Sequence, residues 1–196
     1  MPIYTSNYLK QLSRNKPLNE STRMFSQANK THIAFDIFIS HSFLDKDEVE
    51  GLYLELTRLG YTVYVDWIID PHLDRNNITK QTATLIRNRM KMSKSLLLAT
   101  SVNAAISKWM PWELGYVDGH TNLCAILPVA KESWNAPRHF KGLEYLSLYP
   151  FVRKVPVRNG GQELFVIEDA FQYVLLKRWL SGEAPQKGSV NIFEIE

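Results

Sequence analysis

The stretch Phe35-Asp36-Ile37-Phe38-Ile39-Ser40-His41-Ser42-Phe43-Leu44-Asp45 reads as a strand, a polar break and the approach to a helix. Its first five residues are mostly β-branched or aromatic, the composition of a pleated, buried segment. Asp45 followed by Glu48 has the spacing of a capping box, and Val49, Leu52, Leu56 and Leu59 then recur on one helical face. Gly60 ends that helix, and Tyr61-Thr62-Val63-Tyr64-Val65 is a second strand.

The same alternation continues. A polar loop with Pro71 leads to a helix expected from Ile78 to Met92. Ser95 to Thr100 is a wholly apolar strand of the kind buried on both faces. A helix from Ser107 to Asp118 tolerates Pro111 because it falls near the first turn. Leu123 to Val129 is a fourth strand and Tyr145-Leu146-Ser147-Leu148 a weaker fifth. A last helix is expected over Gln162 to Leu180, burying Leu164, Ile167, Phe171, Val174 and Leu175. Strands separated by helices, without hairpin signals, imply an α/β fold. The expected form is a flavodoxin-like five-stranded parallel sheet, order 2-1-3-4-5, with helices on both faces. In that topology the crevice opens at the carboxyl ends of strands one and three, so Ser40–Asp45 and Ser101–Glu113 should face each other.

Composition narrows the function classes. The 196 residues are 45% hydrophobic and 12% aromatic, enough for a buried core, and the single Cys124 excludes an intrachain disulfide. No apolar run approaches the ~20 residues of a membrane span, and the first residues lack a signal-peptide core. The expected location is cytoplasmic, with no membrane partner. Residues 1–33 hold five Lys/Arg against Glu20, whereas the remainder holds 18 basic and 19 acidic residues. The expected organisation is a basic, solvated N-terminal extension (1–33), the folded domain (34–181) and a loosely packed tail (182–196). A near-neutral domain without a basic stripe argues against nucleic acid.

Several chemistries lack their motif. Neither a G-x-G-x-x-G nor a P-loop pattern is present, nor a G-x-S-x-G elbow. His32, His41, His72, His120 and His139 are scattered without metal-ligand spacing, so no metal and no cofactor are expected. Lys80, Arg87 and Lys91 fall on one helix face, ordinarily a solvated side. What remains is Glu113, four residues after Trp109 and so on the same helix face. Helix-start electrostatics alone would also place a glutamate there. A carboxylate beside an indole in a crevice suits a ribose hydroxyl and a stacked ring. His41 serves equally as a loop hydrogen-bonder or a ligand contact, and Trp67 either packs beneath its loop or serves a partner surface.

These residues resemble the Toll/interleukin-1 receptor (TIR) domain family, particularly stand-alone bacterial members such as the TIR subunit of Thoeris anti-phage systems. Phe35 to Ser42 resembles the first box, Gly60 to Asp66 the second strand before the BB loop, and Ser107-Lys108-Trp109 through Glu113 the S-x-W-x-x-x-E stretch of catalytic members. The loop reads Asp70-Pro71-His72-Leu73-Asp74 where many bacterial homologues carry a P-G pair. The resemblance implies cleavage of NAD⁺, as substrate rather than cofactor, at the nicotinamide–ribose bond. It makes Glu113 the catalytic carboxylate and Ser40, His41, Ser42, Phe43, Asp45, Trp67 and Trp109 substrate contacts. It also implies self-association through TIR–TIR contacts, and a cyclic or conjugated ADP-ribose signal read by a downstream effector in anti-phage defence. The other readings are a non-catalytic TIR scaffold or virulence factor and, more remotely, a nucleoside deoxyribosyltransferase-like enzyme.

Overall fold

The computed structural model describes residues 4–16, 34–73, 79–131, 144–157 and 161–195. The chain enters through β1 (Tyr4–Thr5) and α1 (Ser6–Arg14), and the Thr5 side chain caps the helix by accepting from the Tyr8 N–H. β2 (Phe35–Ser40) runs through a 3₁₀ turn at Phe43–Asp45 into α2 (Lys46–Arg58). β3 (Val63–Tyr64), the single turn α3 (Asp66–Ile69) and α4 (Lys80–Lys91) follow. β4 (Ser93–Thr100) leads through a 3₁₀ turn at Ala104–Ile106 to α5 (Trp109–Thr121) and then β5 (Cys124–Ala130). The remainder is β6 (Phe151–Pro156), β7 (Gln162–Ile167), β8 (Gln172–Leu175), α6 (Leu176–Trp179) and β9 (Gln186–Lys187).

Among the described residues one sheet carries nine strands, in the order β3-β2-β4-β5-β6-β7-β8-β9, with β1 paired to β5. From β3 to β6 every pairing is parallel, and β7, β8 and β9 add antiparallel strands at one edge. The strand order reverses between β2 and β4, as the alternation of elements implies. Side-chain alternation places the helices. Ser40 pairs with Leu98, Leu98 with Ile126 and Ile126 with Phe151, so these four share a face. Ser40 bonds to Glu113 of α5, which puts α5 on that face. Lys154, three residues beyond Phe151 and hence on the opposite face, reaches Glu55 of α2. The sheet is therefore covered on both sides, and Leu96, Leu97 and Leu98 of β4 are all buried between the layers.

Four expectations change. The fifth parallel strand is Phe151–Pro156, while Glu144–Leu148 forms a 3₁₀ turn. The sheet is mixed rather than wholly parallel. Gln162 to Leu180 is not a helix but a β-hairpin followed by one helical turn. Its apolar residues mimic a helical period because both faces of the hairpin are covered: Leu164, Val166 and Val174 join the main core, while Ile167 joins Val155 and Ile192 in a second cluster. The hairpin tip is an Asx turn, in which Asp169 Oδ1 accepts from the Phe171 and Gln172 N–H groups at 2.7 and 2.8 Å.

The fourth change concerns the ends. Residues 4–16 are docked rather than solvated: Leu9 is fully buried, and Ser6 Oγ donates to Glu48 at 2.6 Å. A Cβ on Gly51 of α2 would lie 2.2 Å from the Leu9 carbonyl oxygen, so the two helices meet at a contact only glycine permits. Near the other end, β9 pairs with β8 and Ile192 is buried, so residues 186–195 belong to the folded unit. Arg23 and Lys30 of the basic segment, and the expected helix start at Ile78, lie outside the described residues. Among the described residues no helix is long and apolar enough to cross a membrane.

Candidate active site

The carboxyl ends of β2 and β4 meet the start of α5, and three polar side chains organise that corner. Glu113 is fully buried one turn into α5, and its Oε2 accepts a 2.6 Å hydrogen bond from Ser40 Oγ at the last residue of β2. A charge-assisted bond of this length holds the carboxylate in one orientation over the end of the sheet. Trp109 lies one turn earlier on the same helix, half-buried, its ring 5.4 Å edge-on to Trp112, which in turn approaches Tyr116. Trp109 and Glu113 thus lie four residues apart on α5, the spacing read from the sequence.

The loop after β2 is anchored from within. His41 is buried, with Nδ1 donating to the Ile39 carbonyl at 3.0 Å and Nε2 3.5 Å from Asp66 Oδ1. That pair ties the end of β2 to the first residue of α3, and so sets where Trp67 stands. Ser42 Oγ accepts from the Leu44 N–H and shapes the 3₁₀ turn. The expected capping box does not form. Asp45 makes no side-chain cap to α2; its carboxylate instead accepts from Ser101 Oγ and from Asn103 Nδ2 at 2.6 Å. It is a latch between the loops after β2 and β4, which holds the two sides of the crevice together.

The rim is aromatic and basic. Phe43 is 50% exposed, and Lys46 Nζ stands 4.3 Å from its ring centroid and 5.6 Å from that of Trp67. Trp67 itself is half-buried against the core. On the far side of α3, Asp70 receives both Arg89 Nε at 2.8 Å and Nη2 at 2.7 Å, with Tyr64 Oη completing the cluster. This bidentate bond strengthens the Arg89 charge and fixes the start of the loop after β3 against α4. Lys80, Arg87 and Lys91 lie exposed on α4, as the solvated-side reading has it.

The structure thus brings Ser40 and Glu113 together directly, with Trp109 one turn before Glu113 on α5. Sequence reading missed Lys46, Asp66, Ser101 and Asn103. Their only signal is proximity to the Ser40–Asp45 loop and the carboxyl end of β4, because ordinary Lys, Asp, Ser and Asn residues carry no motif. Cys124 lies at the opposite end of the sheet, where burial, then the Asp118 charge, push its thiol up to about 12. Among the described residues no group of three His, Cys, Asp or Glu could hold a metal ion.

Comparison with known proteins decides the family. The family profile described as "TIR domain" matches residues 37–154, from β2 through β6. The chain belongs to the TIR domain family. A protein of Bacillus cereus (strain MSX-D12), provisionally named 3′ cyclic ADP-D-ribose synthase ThsB′, is 48% identical over 147 residues, 74% of this chain and 75% of its own length. A second, from Cytobacillus dafuensis and provisionally named cyclic ADP-D-ribose synthase TIR2, is 28% identical over 101 residues, 51% of this chain. The match spans 27% of that second protein's length. The crystal structure of the TIR domain of the Toll-related receptor TRR-2 from Hydra magnipapillata aligns over 53% of this chain and 76% of its own, at 19% identity and a TM-score of 0.38.

Proposed function

We propose that this TIR protein cleaves NAD⁺ at the nicotinamide–ribose bond and closes the ADP-ribose product into a cyclic signal. The observation that carries the reading is the buried Glu113 carboxylate, bonded to Ser40 at the carboxyl end of β2 and one turn after Trp109 on α5. The cyclase names of the two bacterial relatives support it. Breaking an N-glycosidic bond develops oxocarbenium character at the anomeric carbon, and a preorganised carboxylate stabilises that charge. Nicotinamide departs as a neutral molecule with the bonding pair, so no second acid is required. Water at the cationic carbon would give hydrolysis; an intramolecular nucleophile gives the ring.

In this reading Glu113 is the catalytic residue and Ser40 orients it. Trp109, Phe43 and Trp67 supply flat surfaces for the ribose and pyridinium. His41, Ser42 and Asp45, which bond within the protein, hold the crevice in shape around the substrate. The protein acts in the cytoplasm, self-associates through TIR–TIR contacts, and its product is read by a separate effector in anti-phage defence.

The deciding experiment is incubation of purified protein with NAD⁺, wild type beside Glu113→Gln, with products separated by chromatography and mass spectrometry. Wild type releases nicotinamide together with a product one water lighter than ADP-ribose, and the variant, which keeps shape but not charge, is slower by at least about 100-fold. Equal rates in the two proteins would remove Glu113 from its role.

A further inference from the structure

Two polar side chains on the Glu113 face of the sheet have no hydrogen-bond partner among the described residues. These are the Thr100 hydroxyl, in a residue 5% exposed, and all three nitrogens of the Arg153 guanidinium, in a residue 3% exposed. Register puts them in one place. Leu98 and Phe151 belong to the row that begins at Ser40, and Thr100 and Arg153 each follow their row member by two residues. Both therefore point to the α5 side, one step nearer the carboxyl ends of the strands. At about 4.8 Å per strand, β4 and β6 are ~10 Å apart, and β6 is ~14 Å from the strand that carries Ser40.

A guanidinium keeps its proton under ordinary conditions, so its charge has to be met where it stands. Two partly buried cations among the described residues are met, Arg89 by Asp70 and Lys154 by Glu55. Among the described residues Arg153 has only the Phe193 ring beside it, 5.9 Å away, and burial pulls its pKa downward. A buried charge left in this condition destabilises the fold unless a ligand completes it.

We propose that Arg153 and Thr100 form an anion subsite that receives the diphosphate of the dinucleotide whose scissile bond lies at Glu113. The guanidinium fork matches two phosphate oxygens, and the threonine hydroxyl donates to a third. The placement relative to Glu113 rests on the NAD⁺ reading given above; the anion site does not. The crevice then carries a carboxylate at its β2 end and a guanidinium at its β6 end. That polarity matches a molecule with a cationic pyridinium at one end and an anionic bridge beyond it, and it orients the substrate in one direction. Entry requires the Phe193 turn to move aside.

The test uses the full chain and inorganic pyrophosphate as probe, followed by thermal unfolding, with acetate as the carboxylate comparison. Arg153→Met without ligand melts at or above wild type, since it removes an unmet charge. Pyrophosphate raises the melting temperature of wild type, raises that of Thr100→Val less, and leaves that of Arg153→Met unchanged; acetate has no comparable effect. Should the Met variant not fold, Arg153→Lys carries the same comparison, with pyrophosphate binding weakened about tenfold because the fork is lost. In kinetics, Arg153→Lys raises KM for NAD⁺ about tenfold at nearly constant kcat, and leaves turnover of nicotinamide riboside, which has no diphosphate, unchanged. Equal pyrophosphate protection of wild type and the Arg153 variants, or protection by acetate alone, overturns the proposal. Since Glu113→Gln retains pyrophosphate binding, failure of the NAD⁺ reading and failure of the anion site are separately visible.

Discussion

The bond between Ser40 and Glu113 joins residues 73 apart in sequence and is the shortest route by which the fold could disturb the proposed chemistry. Ser40→Ala removes the donor and leaves the buried carboxylate one hydrogen bond poorer. Bonds to charged groups contribute about 1.5–3 kcal/mol, so the variant loses stability of that order and nicotinamide release falls by roughly 10- to 100-fold. Denaturant titration and initial rates read the two effects separately; unchanged values in both would remove Ser40 from the site. Asp36, outside the site, tests the electrostatics of the scaffold. Partial burial raises its pKa, but hydrogen bonds from Lys94 and Thr62 outweigh that and hold it below its ordinary value. A depressed carboxylate stabilises the fold above its unfolded pKa, near 4, and that contribution is lost as pH falls through the folded value. Asp36→Asn therefore loses stability at pH 7 and progressively less as pH falls below about 4, so its acid-unfolding curve is flatter than wild type there.

Two element contacts decide whether the crevice exists at all. The Asp45 latch to Ser101 and Asn103 joins the turn before α2 to the segment that leads into α5. Asp45→Ala leaves two loops unconnected, so protection of the amides over 101–108 falls in hydrogen exchange, and the global loss is about 1–3 kcal/mol. A variant with wild-type exchange in that segment would show the latch to be idle. The α1–α2 crossing at Gly51 is equally specific. Because the Cβ of Gly51→Ala would meet a backbone oxygen rather than a flexible side chain, α1 must move. The expected outcome is a melting temperature several degrees lower and faster proteolysis ahead of residue 34; deletion of residues 1–16 reproduces both. The hairpin of β7 and β8 shows the opposite lesson. Gln162 to Leu180 reads as a helix from its apolar spacing, but those side chains divide between clusters on opposite faces of the hairpin, and the Asx turn at Asp169 reverses the chain between its strands.

Across the molecule, the carboxyl-end loops gather exposed apolar side chains. Leu44, Val102 and Ile106 stand around the same end of the sheet as Glu113, with Val102 70% and Ile106 66% exposed. Such a patch costs little in a monomer and favours association when a second surface covers it. Specific activity is therefore expected to rise with protein concentration and to fall in Val102→Asp/Ile106→Asp without loss of folding. Constant specific activity across dilution, measured beside light scattering, would separate catalysis from assembly.

What the sequence determined by itself was whatever rests on short-range order. The β2 strand, the α2 and α5 helices, the parallel centre of the sheet and the Trp109–Glu113 spacing follow from composition and period within a dozen residues. So does the meeting of the loops after strands one and three, because chain topology makes that crevice. Partnerships between residues distant in sequence came instead from the packing of the whole fold. Asp45, which reads as a helix cap, serves as a latch because Ser101 and Asn103 come within reach; the basic first residues dock because Gly51 leaves room for Leu9. Arg153 carries no motif in the sequence, and the strand that holds it is visible only in the fold. Its isolation on the Glu113 face is a property of the whole sheet, since burial and the absence of an acceptor are set by every element packed around a side chain and by none of its neighbours in the chain.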